Sequence, residues 1–312
     1  MSIHPLTFVL AITLIVFNVL QSILAQVIAV TETNTNFNLS AVVLSTEILK
    51  LFLALPSIFY YTRKTNTSAF PTRSTVFVMA IPALLYTISN TLTYHTIALM
   101  GSTNFQILGN IRIVITALLY RLLALRQLLV IQCIALSLLL IGSTIASTSA
   151  VPVRDNRDVQ FTVNVTSFLY ILAQNTCTSL AGVYQELLFK SNDQHFTVKN
   201  ACLYTWTCIF SALKLQADLS QTAGNIFIGF SHITWLSVVV YGCYGQVVSF
   251  TLAYCDNLVK VFATSFAATA SLSAEVFMLG QPVQSGQVLG AVIVVISTLL
   301  FYLDNTILMK SI

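Results

Sequence analysis

Charge is what this chain has least of. Its 312 residues include 14 Lys or Arg and 10 Asp or Glu, 8% in all, against roughly a quarter in an ordinary soluble domain. With 56% hydrophobic residues and a mean hydropathy of +0.85, the chain cannot clothe a water-facing surface, and an integral membrane protein is predicted. A net charge of +4 spread over such a chain does not signal nucleic acid, and none is expected as a partner. The placement of those charges bears on topology instead.

Paired cysteines are missing as well. Cys133, Cys177, Cys202, Cys208, Cys243 and Cys255 stand in or beside apolar runs, with no CxxC pair and no neighbouring histidine cluster. That pattern excludes a thiol redox pair or a zinc site and leaves small packing residues. His4, His95, His195 and His232 are scattered, and no HExxH, GxSxG or Walker loop occurs. No catalytic residue, metal or cofactor is therefore expected, and the chain does not read as an enzyme. The apolar run from Leu6 to Val30 lacks the basic n-region and cleavage site of a signal peptide, so it reads as a first span.

What the chain does have is long apolar runs, and about 20 apolar residues suffice to cross a bilayer. Ten candidates fall at about 5–30, 39–61, 74–99, 103–124, 128–148, 162–188, 199–217, 231–253, 258–279 and 286–303. An all-α membrane protein of ten transmembrane helices is expected, with "VPVRDNRDVQ" (151–160) as a connector between halves at 1–150 and 161–312. With both termini cytosolic, one side collects Arg63, Lys64, Arg73, Arg121, Arg126, Lys190, Lys199, Lys260 and Lys310, and the other only Arg154 and Arg157. This asymmetry fits the positive-inside rule. At an offset of 155 residues, "LRQLLVIQCIALSLLLIG" (125–142) overlays "GQPVQSGQVLGAVIVVIS" (280–297), matching Gln132 to Gln287. Five spans per half make the halves inverted repeats, an arrangement that places transporter sites near the bilayer midplane.

Against this background the polar residues stand out. Ser102, Phe105, Gly109, Arg112 and Thr116 recur every three or four residues and share one helical face. Arg112 either neutralises a buried carboxylate or faces a charged ligand, since an arginine in mid-membrane is costly. Asn257, Lys260, Thr264, Ser271 and Glu275 form a second stripe, on which Lys260 either snorkels to the surface or joins Arg112 in an anion site. Arg suits phosphate through its two-pronged fork and Lys through its point charge. Tyr86, Asn90 and Thr93, and Asn200 with Tyr204, either pack or stack and read a nucleobase. Glu47 with Lys50, Glu186 with Lys190, and Lys214 with Asp218 are expected to neutralise one another as structural pairs. Asn38, Asn66 and Asn164 match glycosylation sequons.

"TEILKL", "SNTLTYHTIALMGSTNFQILGNIRIVITALLYRLLALRQL", "GVYQELLFKSNDQHFTVKN" and "YCDNLVKVFATS" together resemble the CMP-sialic acid, UDP-galactose and UDP-N-acetylglucosamine branch of the nucleotide-sugar transporters. That branch lies in the drug/metabolite transporter superfamily, and the resemblance runs from about residue 40 to 303. It implies residence in the Golgi membrane and antiport of a cytosolic nucleotide sugar against a lumenal nucleoside monophosphate. By position it implies that Arg112 and Lys260 are the family's two phosphate-binding cations, that Phe105 replaces an aromatic, and that Asn90 contacts substrate. Asn200 and Tyr204 would read base and sugar, with Ser249 as a small polar neighbour on the eighth helix and Asn257 in the DNxxK motif.

The sequence departs from the family at three places. Arginine stands for lysine at 112, "YGCYGQ" replaces a glycine-paired motif, and Trp206 replaces a small residue. Trp206 is expected to narrow the sugar end of the cavity and favour a UDP-sugar over CMP-sialic acid. The same departures leave room for other readings: a CMP-sialic acid carrier, an exporter of phosphorylated metabolites, or a non-transporting scaffold. The scaffold would contact glycosyltransferases or further copies of itself.

Overall fold

The computed structural model describes residues 5–31, 38–65, 71–123, 129–149, 165–191, 194–219, 226–227, 230–278 and 285–307. The connector at 151–160, the sequon residues Asn66 and Asn164, and the charges Arg126, Arg154, Arg157 and Lys310 lie outside them. So do the side chains of Ser102 and Glu275. Ten helices and no strand occur among the described residues. They are α1 (Pro5–Thr31), α2 (Leu39–Thr65), α3 (Arg73–Gly109), α4 (Ile111–Leu122) and α5 (Val130–Ser149), then α6 (Val165–Lys190), α7 (Phe196–Leu219), α8 (His232–Tyr254), α9 (Asn257–Met278) and α10 (Ser285–Ile307). In α1, α2, α3 and α8 the apolar run is long enough on its own to cross a membrane.

Helix starts follow local chemistry. The Asn38 carboxamide oxygen accepts the Ser40 and Ala41 N–H groups at 3.1 and 3.3 Å, occupying a sequon asparagine as the cap of α2. Ser231 and Thr234 form a reciprocal capping box at the start of α8. Outward faces carry bare hydrocarbon, including Phe52, Phe77, Val130 and Leu289, as a lipid-facing surface requires.

The third and fourth spans were expected to part at 99–103, yet helical backbone continues from Arg73 to Gly109 and the assigned break comes at Asn110. The segment nonetheless doubles back. Tyr86 donates to Gln185 and Tyr120 to Glu186, adjacent residues of α6. A straight helix would separate residues 86 and 120 by about 50 Å. Ser89 contacts Thr178 while Leu108 accepts from Asn175, so the reversal lies between residues 90 and 107. Two oppositely directed legs therefore flank α6, one carrying Tyr86 and the other Arg112.

Helix α1 packs on α8 and α9, α6 on α3 and α4, α2 on α7, and α5 on α10. The last pair meets backbone to backbone. A Cβ placed on Gly290 would sit 2.6 Å from the Ala146 nitrogen and 2.7 Å from the Gly142 carbonyl, and Ser297 donates to the Ala135 carbonyl at 2.6 Å. Small residues let membrane helices touch backbone to backbone, where dispersion replaces the missing hydrophobic drive. One apolar core joins Ile113, Leu136, Leu139, Phe262, Val294 and Phe301, and another joins Met79, Ala83, Leu203 and Leu252.

The predicted basic ends sit together. Tyr61 at the end of α2 stacks on His195 at 3.9 Å, Thr72 before α3 donates its N–H to Gln194, and Lys190 pairs with Asp256 before α9. Lys199 differs from expectation. It is 1% exposed, and its ammonium caps the end of α6 by donating to the Leu188 and Ser191 carbonyls at 2.7 Å. It satisfies orphan carbonyls there and is no surface charge.

Candidate functional site

On α3 the stripe Met79, Ala83, Tyr86 and Asn90 faces inward, opposite the lipid-facing Phe77, Ile81, Leu84 and Ile88. Met79 and Ala83 are buried, but Asn90 at the far end of the same stripe is exposed. Exposure on an inward face means open space inside the bundle. Gly109 adds a second sign of it, because a Cβ there would meet no atom within 4 Å. Gly109 lies one turn before Arg112 on the same face of the second leg.

Lys260, on the first turn of α9, points into this interior and not along the membrane surface. Its ammonium lies 5.7 Å from the centre of the Tyr86 ring, within cation–π range. Arg112 is close enough to Lys260 for the two to repel, with Tyr86 and Tyr244 in the same neighbourhood. Tyr86 donates to Gln185 at 2.9 Å, and the Tyr244 hydroxyl accepts from Asn18 at 3.2 Å. Among the described residues no carboxylate pairs with either cation. Structural neutralisation of Arg112 therefore has no partner there, and two cations share a polar interior lined by phenols.

A second polar group adjoins the first and joins α2, α7 and α8. Lys50 and Glu47 pair at 2.7 Å, and the second Glu47 oxygen accepts from Thr207 at 2.8 Å. The Lys50 ammonium lies 6.0 Å from the Tyr204 ring centre. Tyr204 donates to the Gly245 carbonyl at 2.9 Å and shares a 2.8 Å hydrogen bond with Ser249. Asn200 donates to Gln246 at 3.2 Å, and Gln246 in turn donates to the Lys50 carbonyl at 2.6 Å. The direction of these bonds leaves the buried Asn200 Oδ1 with no partner among the described residues. Gly245 makes the arrangement possible, since a Cβ there would overlap the Lys50 Cε. Beside Asn200 lies a cavity of about 270 Å³, bounded by Leu53, Ser57, Phe196 and Phe250.

Several sequence assignments change in three dimensions. Thr116 shares the Arg112 face in projection but is fully buried, donating to the Arg112 carbonyl and to Ser179 of α6. Asn257 is 2% exposed and packs on Gly182, so it belongs to a helix contact and not to the open interior. Phe105 is half-buried in the helical backbone seven residues before Arg112. Glu186 and Lys190 pair at 2.7 Å, and Lys190 also reaches Asp256 at 2.7 Å. Tyr244, Gln185, Asn18 and Thr207 carried no assignment from sequence. Tyr244 lies in the aberrant "YGCYGQ" and Gln185 inside "GVYQE", so the quoted motifs held both.

Trp206 does not narrow the interior. Its indole N–H donates to the Val76 carbonyl of α3 at 2.7 Å and its ring stacks on Phe210. A ring anchored against the first turn of α3 cannot project into the space between Arg112 and Tyr204. Trp206→Phe is expected to leave ligand choice unchanged and to cost about 1 kcal/mol of stability, the worth of one hydrogen bond. Thermal melting with and without ligand checks both parts.

The sequence profile described as nucleotide-sugar transporter matches residues 5–302. CMP-sialic acid transporter 1 of Arabidopsis thaliana is 30% identical over 268 residues, covering 82% of this chain and 78% of that protein. The UDP-galactose transporter of Schizosaccharomyces pombe (strain 972 / ATCC 24843) is 29% identical over 227 residues, covering 72% of this chain and 64% of its own. A crystal structure matches with a TM-score of 0.68 at 14% identity, over 94% of this chain and 98% of the other, which establishes a shared fold.

Proposed function

This chain belongs to the nucleotide-sugar transporter family, and from that premise we propose that it exchanges a pyrimidine nucleotide sugar for a nucleoside monophosphate across the Golgi membrane. The observation that carries this reading is the pair of interior cations, Arg112 and Lys260, with no carboxylate partner among the described residues. Buried charge is tolerated only when paired. The missing counter-charge is the substrate phosphate, gripped by the Arg112 fork and neutralised by Lys260.

Tyr204, Asn200 and Ser249 stand next to the cations with hydrogen-bonding groups suited to base and sugar, and Asn200 Oδ1, without a partner among the described residues, is an acceptor waiting for a donor. Relatives named for both CMP-sialic acid and UDP-galactose point to a pyrimidine. Since Trp206 packs on α3, it gives no reason to prefer one sugar.

Coupling follows from electrostatics. The empty carrier must reorient with Arg112 and Lys260 repelling each other, which is slow, whereas a nucleotide sugar on one leg and a monophosphate on the other both restore neutrality. Neither a proton nor a sodium ion is needed for this exchange.

Inverted five-helix repeats supply the two access states, and the packing pattern supports them. Shifting by five exchanges α1 on α8 and α9 with α6 on α3 and α4, and maps α2–α7 and α5–α10 onto themselves. At residue level, an offset of 155 turns the Gly142–Gly290 contact into the contact between Ser297 and Ala135. With the basic end of the bundle facing the cytosol, both termini are cytosolic.

Purified protein in liposomes preloaded with UMP, CMP or GMP is expected to take up one labelled UDP- or CMP-sugar, and only against the matching internal monophosphate. Equal uptake into empty liposomes would remove the exchange mechanism. No uptake of any nucleotide sugar by folded protein would favour the scaffold.

A further inference from the structure

The carboxylate of Glu186 does more than neutralise Lys190. It is 7% exposed at the basic end of α6 and touches two other helices. Oε2 accepts the Asn257 N–H, the opening amide of α9, at 2.8 Å, and also the Tyr120 hydroxyl of α4. Oε1 holds Lys190 at 2.7 Å, and Lys190 reaches on to Asp256 at 2.7 Å. An N-terminal amide has no partner within its own helix, and a negative charge there is favoured by the helix dipole. Glu186 thus caps a helix to which it does not belong.

The seat beneath that cap is built for the same approach. Gly182 lies one turn earlier on the same face of α6, and a Cβ there would fall 2.8 Å from Asn257 Oδ1. The neighbouring chain is closed as well: Cys255, at the end of α8, is 7% exposed.

The helices gathered here are those of the two cations. Lys260 is one turn beyond Asn257 on α9, and Arg112 two turns before Tyr120 on α4. We infer that Glu186 is a positioning residue and latch: through α9 it sets Lys260 against Tyr86, and with Lys190 it clasps the basic ends of α4, α6 and α9 while the site faces the other side. This rests on the alternating-access reading above. Opening toward the basic end must separate Glu186 from the Asn257 amide or from Tyr120, so weakening the clasp shifts the population toward that open state. Arg112 and Lys260 then become reachable from the basic end without either cation being altered.

The test reads accessibility and needs no transport. Wild type, Glu186→Gln and Lys190→Gln are placed in lipid nanodiscs, exposed to a membrane-impermeant methanethiosulfonate, and the modification of Cys255 is followed by site-resolved mass spectrometry. Glu186→Gln keeps the size and an acceptor oxygen but loses the charge, while Lys190→Gln leaves the cap intact and removes both ion pairs. Both are expected to label Cys255 at least about fivefold faster than wild type, the lower range of typical conformational coupling, with melting temperatures close to wild type. A purely structural pair predicts lower melting temperatures with unchanged labelling at temperatures where the variants are folded, and that result overturns the latch. Failure of nucleotide-sugar exchange in liposomes, with faster labelling retained, would strike the transport reading and leave the latch standing.

Discussion

Arg112→Ala is expected to reduce nucleotide-sugar exchange by about thirty- to a few thousandfold. Removing one partner of a desolvated charge contact costs about 2–5 kcal/mol, and each 1.4 kcal/mol is tenfold in affinity. The loss has a signature that separates it from misfolding. In the empty protein Arg112 repels Lys260 and has no carboxylate partner among the described residues, so its removal relieves a like-charge repulsion. The ligand-free variant should therefore melt no lower than wild type, while the stabilisation that a monophosphate confers on the wild type disappears. Arg112→Lys keeps the charge and loses the two-pronged fork, and intermediate exchange is expected. Melting curves with and without UMP or CMP, run beside the uptake assay, check all three statements. A folded Arg112→Ala protein exchanging at the wild-type rate would end the assignment of the phosphate site.

The largest effect on folding is expected at the α5–α10 contact. A leucine at Gly290 would drive its Cβ into the backbone nitrogen of Ala146 at 2.6 Å and the Gly142 carbonyl oxygen at 2.7 Å. Backbone atoms of a packed helix cannot rotate aside as the end of a flexible side chain can, so the helices must separate. Their separation also strains the Ser297 bond to Ala135 and opens the core around Leu139 and Val294. Overpacking of this kind typically costs about 1–3 kcal/mol and sometimes more. Gly290→Leu is expected to lower the yield of monodisperse protein sharply, with Gly290→Ala intermediate. Gly109→Ala serves as the contrast, because its new methyl meets nothing within 4 Å. A monodisperse Gly290→Leu protein with the wild-type melting temperature would show that the contact is looser than this geometry.

Other features act locally and were legible early. The near absence of charge predicted a membrane bundle, and helical spacing put Asn90 in line with Tyr86 and Gly109 with Arg112. Positive charges at span ends predicted which ends belong together, and contacts such as Tyr61 on His195 join those ends. Lys199 shows where counting fails: a lysine at a span end looks like a surface charge, but the unpaired carbonyls closing α6 recruited it. Trp206 failed for a similar reason. Its size was readable, but its direction depended on an acceptor 130 residues away at Val76.

The sequence by itself determined the class of the protein and the run of its helices, and it singled out Arg112 and Lys260 as cations that need a reason to be there, because these follow from hydrophobic run length, helical period and the cost of charge in hydrocarbon. Tertiary structure decided what each polar group is for. It turned the third and fourth spans back along α6, brought Arg112 and Lys260 into one interior with Tyr86 and Tyr244, and sent Thr116, Asn257 and Trp206 into packing. A helical stripe fixes only which residues share a face. What that face meets depends on neighbours far along the chain, and in lipid the choice turns on close packing and hydrogen bonds that a one-dimensional pattern does not carry.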